Sequence, residues 1–139
     1  MARTTFSGPV VSLNGFIVDH TPGTANAIDA TGTATAAQVA TGYITSTSAA
    51  ATTITLPTGT LLGAAVSATQ GTSLDLFIDN TAGASVVTVA VATNGILSSA
   101  AADTPGSFGD LTIAAGATGL ACFRIMFSSK TAYVFTRTA

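Results

Sequence analysis

Polar and apolar residues alternate along several short stretches of the chain. The clearest stretch is 73–79, where three apolar residues share one face and four largely polar residues share the other: Leu74, Leu76 and Ile78 against Ser73, Asp75, Phe77 and Asp79. A period of two is typical of a half-buried strand. A second alternating run, 85–91, follows the turn residues 80–83, so the two runs predict a β-hairpin.

The remaining β-type runs predict further strands at 42–46, 52–56, 111–113, 120–128 and 132–138. In 120–128 the aromatic and aliphatic residues Phe123, Ile125 and Phe127 share one side, and the short turn after this run predicts a second hairpin. Residues 58–66 have apolar positions at helical spacing behind Thr58, a favourable N-cap, and predict one short helix. Residues 100–107 predict a loop.

Short strands at regular spacing, separated by turn residues, predict an all-β fold: a single antiparallel sandwich or barrel, jelly-roll-like, with one short helix. A parallel sheet is not expected, because the crossover helices that it usually needs are missing. The 139 residues fit one domain. Residues 1–30 are turn-rich and weakly patterned, and predict an extended N-terminal arm on a β-domain formed by 31–139.

Charged residues are unusually rare. Only ten of the 139 residues carry a formal charge and there is no Glu, whereas an ordinary domain is about a quarter charged. Ala, Thr, Ser and Gly take their place and give a surface with little electrostatic self-repulsion. Such a surface suits a protein that is largely covered by copies of itself or by a partner, and therefore indicates assembly rather than chemistry.

The same composition argues against two other classes of partner. A net charge of −2 with four basic residues is too little positive charge for nucleic-acid binding. The longest charge-free stretch, 80–102, is interrupted by Thr, Asn, Gly and Ser, so it does not predict a membrane-spanning helix. The N-terminus has no continuous apolar core of a secretory signal, so we expect the protein to be made in, and stay in, the cytoplasm of its host cell.

Few residues could carry chemistry. The single histidine, His20, lacks the partner ligands that a metal site needs. Asp75 and Asp79 share a strand face but lie about 13 Å apart, too far for a catalytic carboxylate pair. The single cysteine, Cys122, lies in an apolar run and is expected to be a small buried hydrophobic residue. The sequence thus predicts no catalytic, cofactor-binding or metal site and no enzymatic activity.

Eight short segments carry a resemblance to a known class of protein. TAAQVATGYITSTS (35–48), TTITLPT (52–58), GTSLDLFIDNT (71–81) and VVTVA (86–90), followed by FRIMF (123–127) and AYVF (132–135), resemble small structural proteins of tailed-phage virions. The opening FSGPV (6–10) and NGF (14–16) are similar to the start of phage capsid-associated proteins. The resemblance implies a decoration, or cement, protein on the capsid exterior, commonly a homotrimer, bound to the major capsid protein.

Two groups of residues are candidate capsid or inter-subunit contacts. The first lies in the N-terminal arm, which lacks a core of its own, and the second alternates with apolar residues in the last two strands: Phe6, Pro9, Val10, Val11, Leu13, Phe16 and Ile17 in the arm, and Arg124 and Arg137 in the strands. For the arginines two interpretations stay open: inter-subunit contact with Asp75 or Asp79, or exposure to solvent on a sheet edge.

Two alternative functions are weaker. A head or tail fibre knob that binds host carbohydrate needs exposed aromatic residues, yet Trp is absent and Tyr occurs only at 43 and 133. An ice-binding protein needs many Thr-X-Thr triplets in register, and the scattered triplets at 31–35 and 53–55 do not supply them.

Overall fold

The computed structural model describes residues 26–97 and 111–139, which form nine strands in two sheets together with two short helices. In chain order the elements are β1 (Gly32–Thr33), α1 (Ala36–Ala40), β2 (Tyr43–Thr45), β3 (Thr52–Thr55), α2 (Gly59–Val66), β4 (Ser73–Asp79), β5 (Val87–Ala90), β6 (Gly95–Leu97), β7 (Thr112–Ile113), β8 (Leu120–Ser129) and β9 (Ala132–Arg137). One sheet has the strand order β1-β3-β5-β7, and the other has the order β2-β4-β8-β9-β6.

Both sheets are mixed, so the predicted antiparallel sheet is wrong. β1, β3 and β5 are parallel neighbours, as are β2 with β4 and β6 with β9. The first eight strands alternate between the two sheets, so each of these parallel connections runs through the opposite sheet and needs no crossover helix. The arrangement is of sandwich type, but its parallel pairs do not fit a jelly roll.

The alternation also separates the first predicted hairpin. β4 and β5 have the expected positions along the chain, yet they belong to different sheets and do not pair. The second predicted hairpin is confirmed, because β8 and β9 pair antiparallel with a bulge between Phe127 and Ser129.

The core lies between the inner faces of the two sheets. Its largest members are fully buried aromatic side chains of β8 and β9, and they meet in pairs. Phe123 stacks on Phe135 with ring centroids 4.8 Å apart, and Phe127 meets Tyr133 edge to face at 5.9 Å. The four-stranded sheet contributes β-branched residues, among them Ile54, Val87, Val89 and Ile113.

The predicted helix is confirmed as α2, with Thr58 as its N-cap accepting a hydrogen bond from the Leu61 amide. It packs on the β8–β9 turn so closely that a Cβ at Gly63 would overlap the carbonyl oxygen of Lys130. The second helix, α1, was not predicted. No helix in residues 26–97 or 111–139 is long and apolar enough to span a membrane.

The described chain begins on the edge of the five-stranded sheet. Ala27 forms an isolated parallel bridge with Thr45 of β2. The Ile28 amide donates to the Thr45 carbonyl at 2.9 Å, and the Thr45 amide donates to the Asn26 carbonyl at 3.1 Å. The last residues of the predicted arm therefore lie against the β-domain. The rest of the arm and the predicted loop at 100–107 lie outside the described residues.

Candidate interaction face of the five-stranded sheet

The strand alternation places large apolar side chains on the outside of the five-stranded sheet. In β4 the buried positions 76 and 78 face the core, so 75, 77 and 79 face outward, as the pattern predicted. The same alternation in β8 buries 121, 123, 125 and 127 and exposes 120, 124 and 126. Among the described residues, seven large hydrophobic side chains are exposed, and five of them belong to this sheet surface: Tyr43, Phe77, Ile96, Leu120 and Met126.

These five residues are between 41 and 56% exposed. Four of them lie in two rows, and the fifth, Leu120, lies beside Asp79. The strand register places Phe77 beside Tyr43 on one side and Cys122 on the other. The second row consists of Met126, Val134 and Ile96, because Met126 pairs with Val134 and Val134 pairs with Ile96. We call this surface the outer face; it comprises Tyr43, Asp75, Phe77, Asp79, Ile96, Leu120, Cys122, Arg124, Met126 and Val134.

A single ion pair lies between the two rows. Asp75 and Arg124 are direct cross-strand partners in the β4–β8 register. The guanidinium binds the carboxylate through two hydrogen bonds, from Nε to Oδ1 at 2.7 Å and from Nη2 to Oδ2 at 2.9 Å. These bonds hold the pKa of Asp75 below its usual range. The two charges neutralise each other, so the middle of the outer face carries no net charge.

The second carboxylate of the face is also held by hydrogen bonds. The Tyr43 hydroxyl donates to Asp79 Oδ2 at 2.6 Å, while Thr81 donates to Oδ1 from its amide at 2.9 Å and from its hydroxyl at 2.6 Å. The hydrogen bonds donated by Thr81 and Tyr43 lower the pKa of Asp79. The hydrogen bond between Tyr43 and Asp79 also raises the pKa of Tyr43. Both carboxylates of the face are thus held in defined positions.

The two candidate arginines have different surroundings. Arg124 contacts Asp75, one of its two expected partners, within a single chain; contact between subunits stays a prediction. Arg137 donates to the carbonyls of Thr112 and Ala139, and its guanidinium lies 5.9 Å from the centre of the Phe123 ring. The candidate arm residues all lie outside the described residues: Phe6, Pro9, Val10, Val11, Leu13, Phe16 and Ile17.

The expectation for Cys122 is wrong. The alternation that sends Phe123 into the core turns Cys122 outward, so the thiol is half-buried on the outer face beside Phe77. Its neighbours in the sequence are apolar, and only the pairing of β8 with β4 shows which side of the sheet it occupies.

Sequence reasoning also missed the buried amide of Asn80, which was predicted only as part of a turn. Asn80 is fully buried, and its Nδ2 donates to the carbonyls of Ser85 at 2.9 Å, Ala114 at 3.0 Å and Ile113 at 3.3 Å. The amide therefore joins the end of β4 to the strand β7 of the other sheet. No local pattern signals the contact with β7, because Ile113 and Ala114 lie 33 and 34 residues away in the sequence.

Other parts of the described chain offer little for chemistry. Residues 26–97 and 111–139 contain no group of three His, Cys, Asp or Glu side chains that could hold a metal ion. A cleft of about 480 Å³ between the two helices is lined by Thr, Ala, Pro and Leu, including Thr33, Pro57 and Leu61, and has no titratable group. The outer face is therefore the most distinctive surface that the structure describes.

Comparison with known proteins finds no relative: no protein-family model, no curated protein and no solved structure matches this chain.

Proposed function

We propose that this chain is a non-enzymatic structural protein of a virion: a decoration, or cement, protein that binds the outer surface of a phage head and stabilises the shell. In this proposal the protein is a homotrimer and its main partner is the major capsid protein. The capsid assignment rests on the resemblance of the sequence segments to small structural proteins of tailed-phage virions.

The observation that carries the assembly part of the proposal is the outer face. Singly exposed apolar residues are ordinary on protein surfaces, but large contiguous apolar patches are typical of interaction sites. Here Tyr43, Phe77 and Cys122 are contiguous across three strands, and Leu120 and Met126 extend the same surface. A sheet face of this kind is stabilised when another surface covers it.

The scarcity of charge supports the same proposal. Only six charged side chains occur in residues 26–97 and 111–139, and two of them form the Asp75–Arg124 pair. A charge-poor surface opposes close packing of many copies only weakly. Repetition over a lattice then allows weak individual contacts to hold the protein on a shell, and binding only to the expanded shell would stabilise that shell by mass action.

The proposal is tested by co-sedimentation of the purified full chain with expanded heads that lack a decoration protein. Unexpanded heads of the same phage serve as the matched control. We expect saturable binding to expanded heads, weaker binding to unexpanded heads, and a higher temperature of head disruption when the protein is bound.

Absence of binding to either form of the head would refute the capsid assignment. Binding to host cells in place of heads would favour the alternative, a head or tail fibre knob that recognises host carbohydrate.

A further inference from the structure

The apolar outer face lies beside the point where the N-terminal residues enter the fold. Asn26 contacts the edge strand of this sheet: its Nδ2 donates to the Thr41 hydroxyl at 2.6 Å and to the Tyr43 carbonyl at 3.3 Å. Tyr43 is itself a member of the outer face and is 41% exposed. Residues 1–25 are therefore attached at the margin of the apolar outer face.

The attached segment is rich in apolar residues that need a surface to bury them. From Phe6 to Val18, seven of 13 residues are Val, Leu, Ile or Phe, and none carries a charge. Thirteen residues cannot form a core of their own, since even domains of about 40 residues usually need additional stabilisation. The segment and the outer face thus share the same apolar chemistry.

The extended length of the N-terminal segment is sufficient to cover the outer face. Five strands spaced about 4.8 Å apart give the face a width of about 20 Å, and the seven residues of β4 give it a length of about 23 Å. Thirteen extended residues span about 43 Å, enough to cross that face from one corner to the other. Residues 1–25 reach about 80 Å when extended, whereas a folded domain of about 100 residues has a radius of gyration of about 13 Å. The segment is long enough to reach the outer face of an adjacent molecule.

We propose that residues 1–25 of one copy cover the outer face of a neighbouring copy, with the apolar residues between 6 and 18 packed on the rows formed by Phe77 and Met126. This inference rests on the proposed function, since the assembly supplies the neighbour. Exchange of one segment around a closed ring makes the same contact at every subunit, as rotational symmetry requires.

Cys122 provides a test in the full-length chain, because it is the only cysteine and lies on the outer face. In the assembled protein we expect its thiol to react with a maleimide about tenfold or more slowly than a cysteine placed on the exposed surface of α2, introduced as Ala65→Cys in a Cys122→Ala background. The double variant Phe16→Ser with Ile17→Ser should accelerate the reaction of Cys122. Asn14→Ser, a polar substitution in the same segment, should leave the rate unchanged.

Disulfide trapping then identifies the copy that supplies the segment. Single cysteines are added to the wild-type chain as Phe6→Cys, Val11→Cys, Leu13→Cys or Ile17→Cys, and the assembled protein is oxidised. We expect covalent dimers and trimers joined through Cys122, and none when the second cysteine is at position 65 instead of 122. Cross-links confined to one chain would overturn the exchange between copies.

Rapid reaction of Cys122 in the assembled wild-type protein, together with no cross-link from any position, would overturn the inference as a whole. That failure is distinct from failure of the proposed function. A protein that binds expanded heads while Cys122 stays reactive keeps the function and loses the segment assignment. An oligomer in which Cys122 is protected but which does not bind heads keeps the segment assignment and loses the proposed function.

Discussion

The buried hydroxyl of Tyr133 makes a specific prediction about stability. Tyr133 is fully buried in the core, and its hydroxyl donates to the Pro57 carbonyl, just before α2, at 2.9 Å. Replacing it with Phe removes this bond and leaves a buried carbonyl without that donor. We expect Tyr133→Phe to lower the free energy of unfolding by about 1–3 kcal/mol at neutral pH.

The same burial predicts how stability depends on alkaline pH. Burial raises the pKa of Tyr133 from 10.0 to about 12. Below pH 10 the phenol is protonated in both the folded and the unfolded state, so it adds no pH dependence. Between pH 10 and about 12 the unfolded chain releases the proton while the folded chain retains it, so the free energy of unfolding falls with rising pH. The loss due to this residue is about 2 kcal/mol at about pH 11.5.

Urea unfolding followed by circular dichroism measures both effects. Wild type and Tyr133→Phe are compared from about pH 8 to about pH 11.5. The stability difference between wild type and Tyr133→Phe should shrink by about 2 kcal/mol across this range. If the two curves instead run parallel throughout, the buried hydroxyl does not link folding to this titration and the reasoning is refuted.

Three further perturbations test the fold and the outer face. Gly63→Ala should destabilise the protein by about 1–3 kcal/mol, although alanine normally favours a helix, because the new Cβ would overlap a carbonyl oxygen. Thermal unfolding measures this loss. The comparison is Ala64→Gly at an exposed position of the same helix, which should cost only about 1 kcal/mol. Asn80→Asp should cost about 3 kcal/mol or more in urea unfolding at pH 7, since a buried carboxylate would face three carbonyl oxygens; a near-neutral effect would contradict this role of the amide. Arg124→Ala should leave the midpoint of unfolding almost unchanged, because the ion pair is exposed. The same substitution should raise the pKa of Asp75 toward its ordinary value, which NMR titration of the carboxylate detects. An unchanged pKa of Asp75 would refute the pairing.

Local patterns predicted the strands better than their partners. The alternation in 73–79 correctly assigns Leu76 and Ile78 to the core and Asp75 and Phe77 to the outside, because a period of two fixes which face each side chain occupies. It does not fix the sheet to which a strand belongs. The predicted hairpin of β4 with β5 is wrong for this reason: a short turn also allows the chain to cross to the opposite sheet.

The unpredicted helix and the outer face illustrate two further limits. α1 is only five residues long, too short for a helical period, although Thr35 and Gln38 form a capping box that could have marked its start. The outer face is assembled from five strands whose order the sequence does not determine. Exposed Phe77 could be identified from its own strand, but its neighbours Tyr43 and Cys122 follow only from the register.

In the proposed function this protein works as an assembly and not as a free monomer, and its mass in solution distinguishes the two. Light scattering on the purified full chain should give three times the 13.6 kDa of one chain, about 41 kDa, and this mass should persist on dilution. A mass of 13.6 kDa at every concentration would contradict the account.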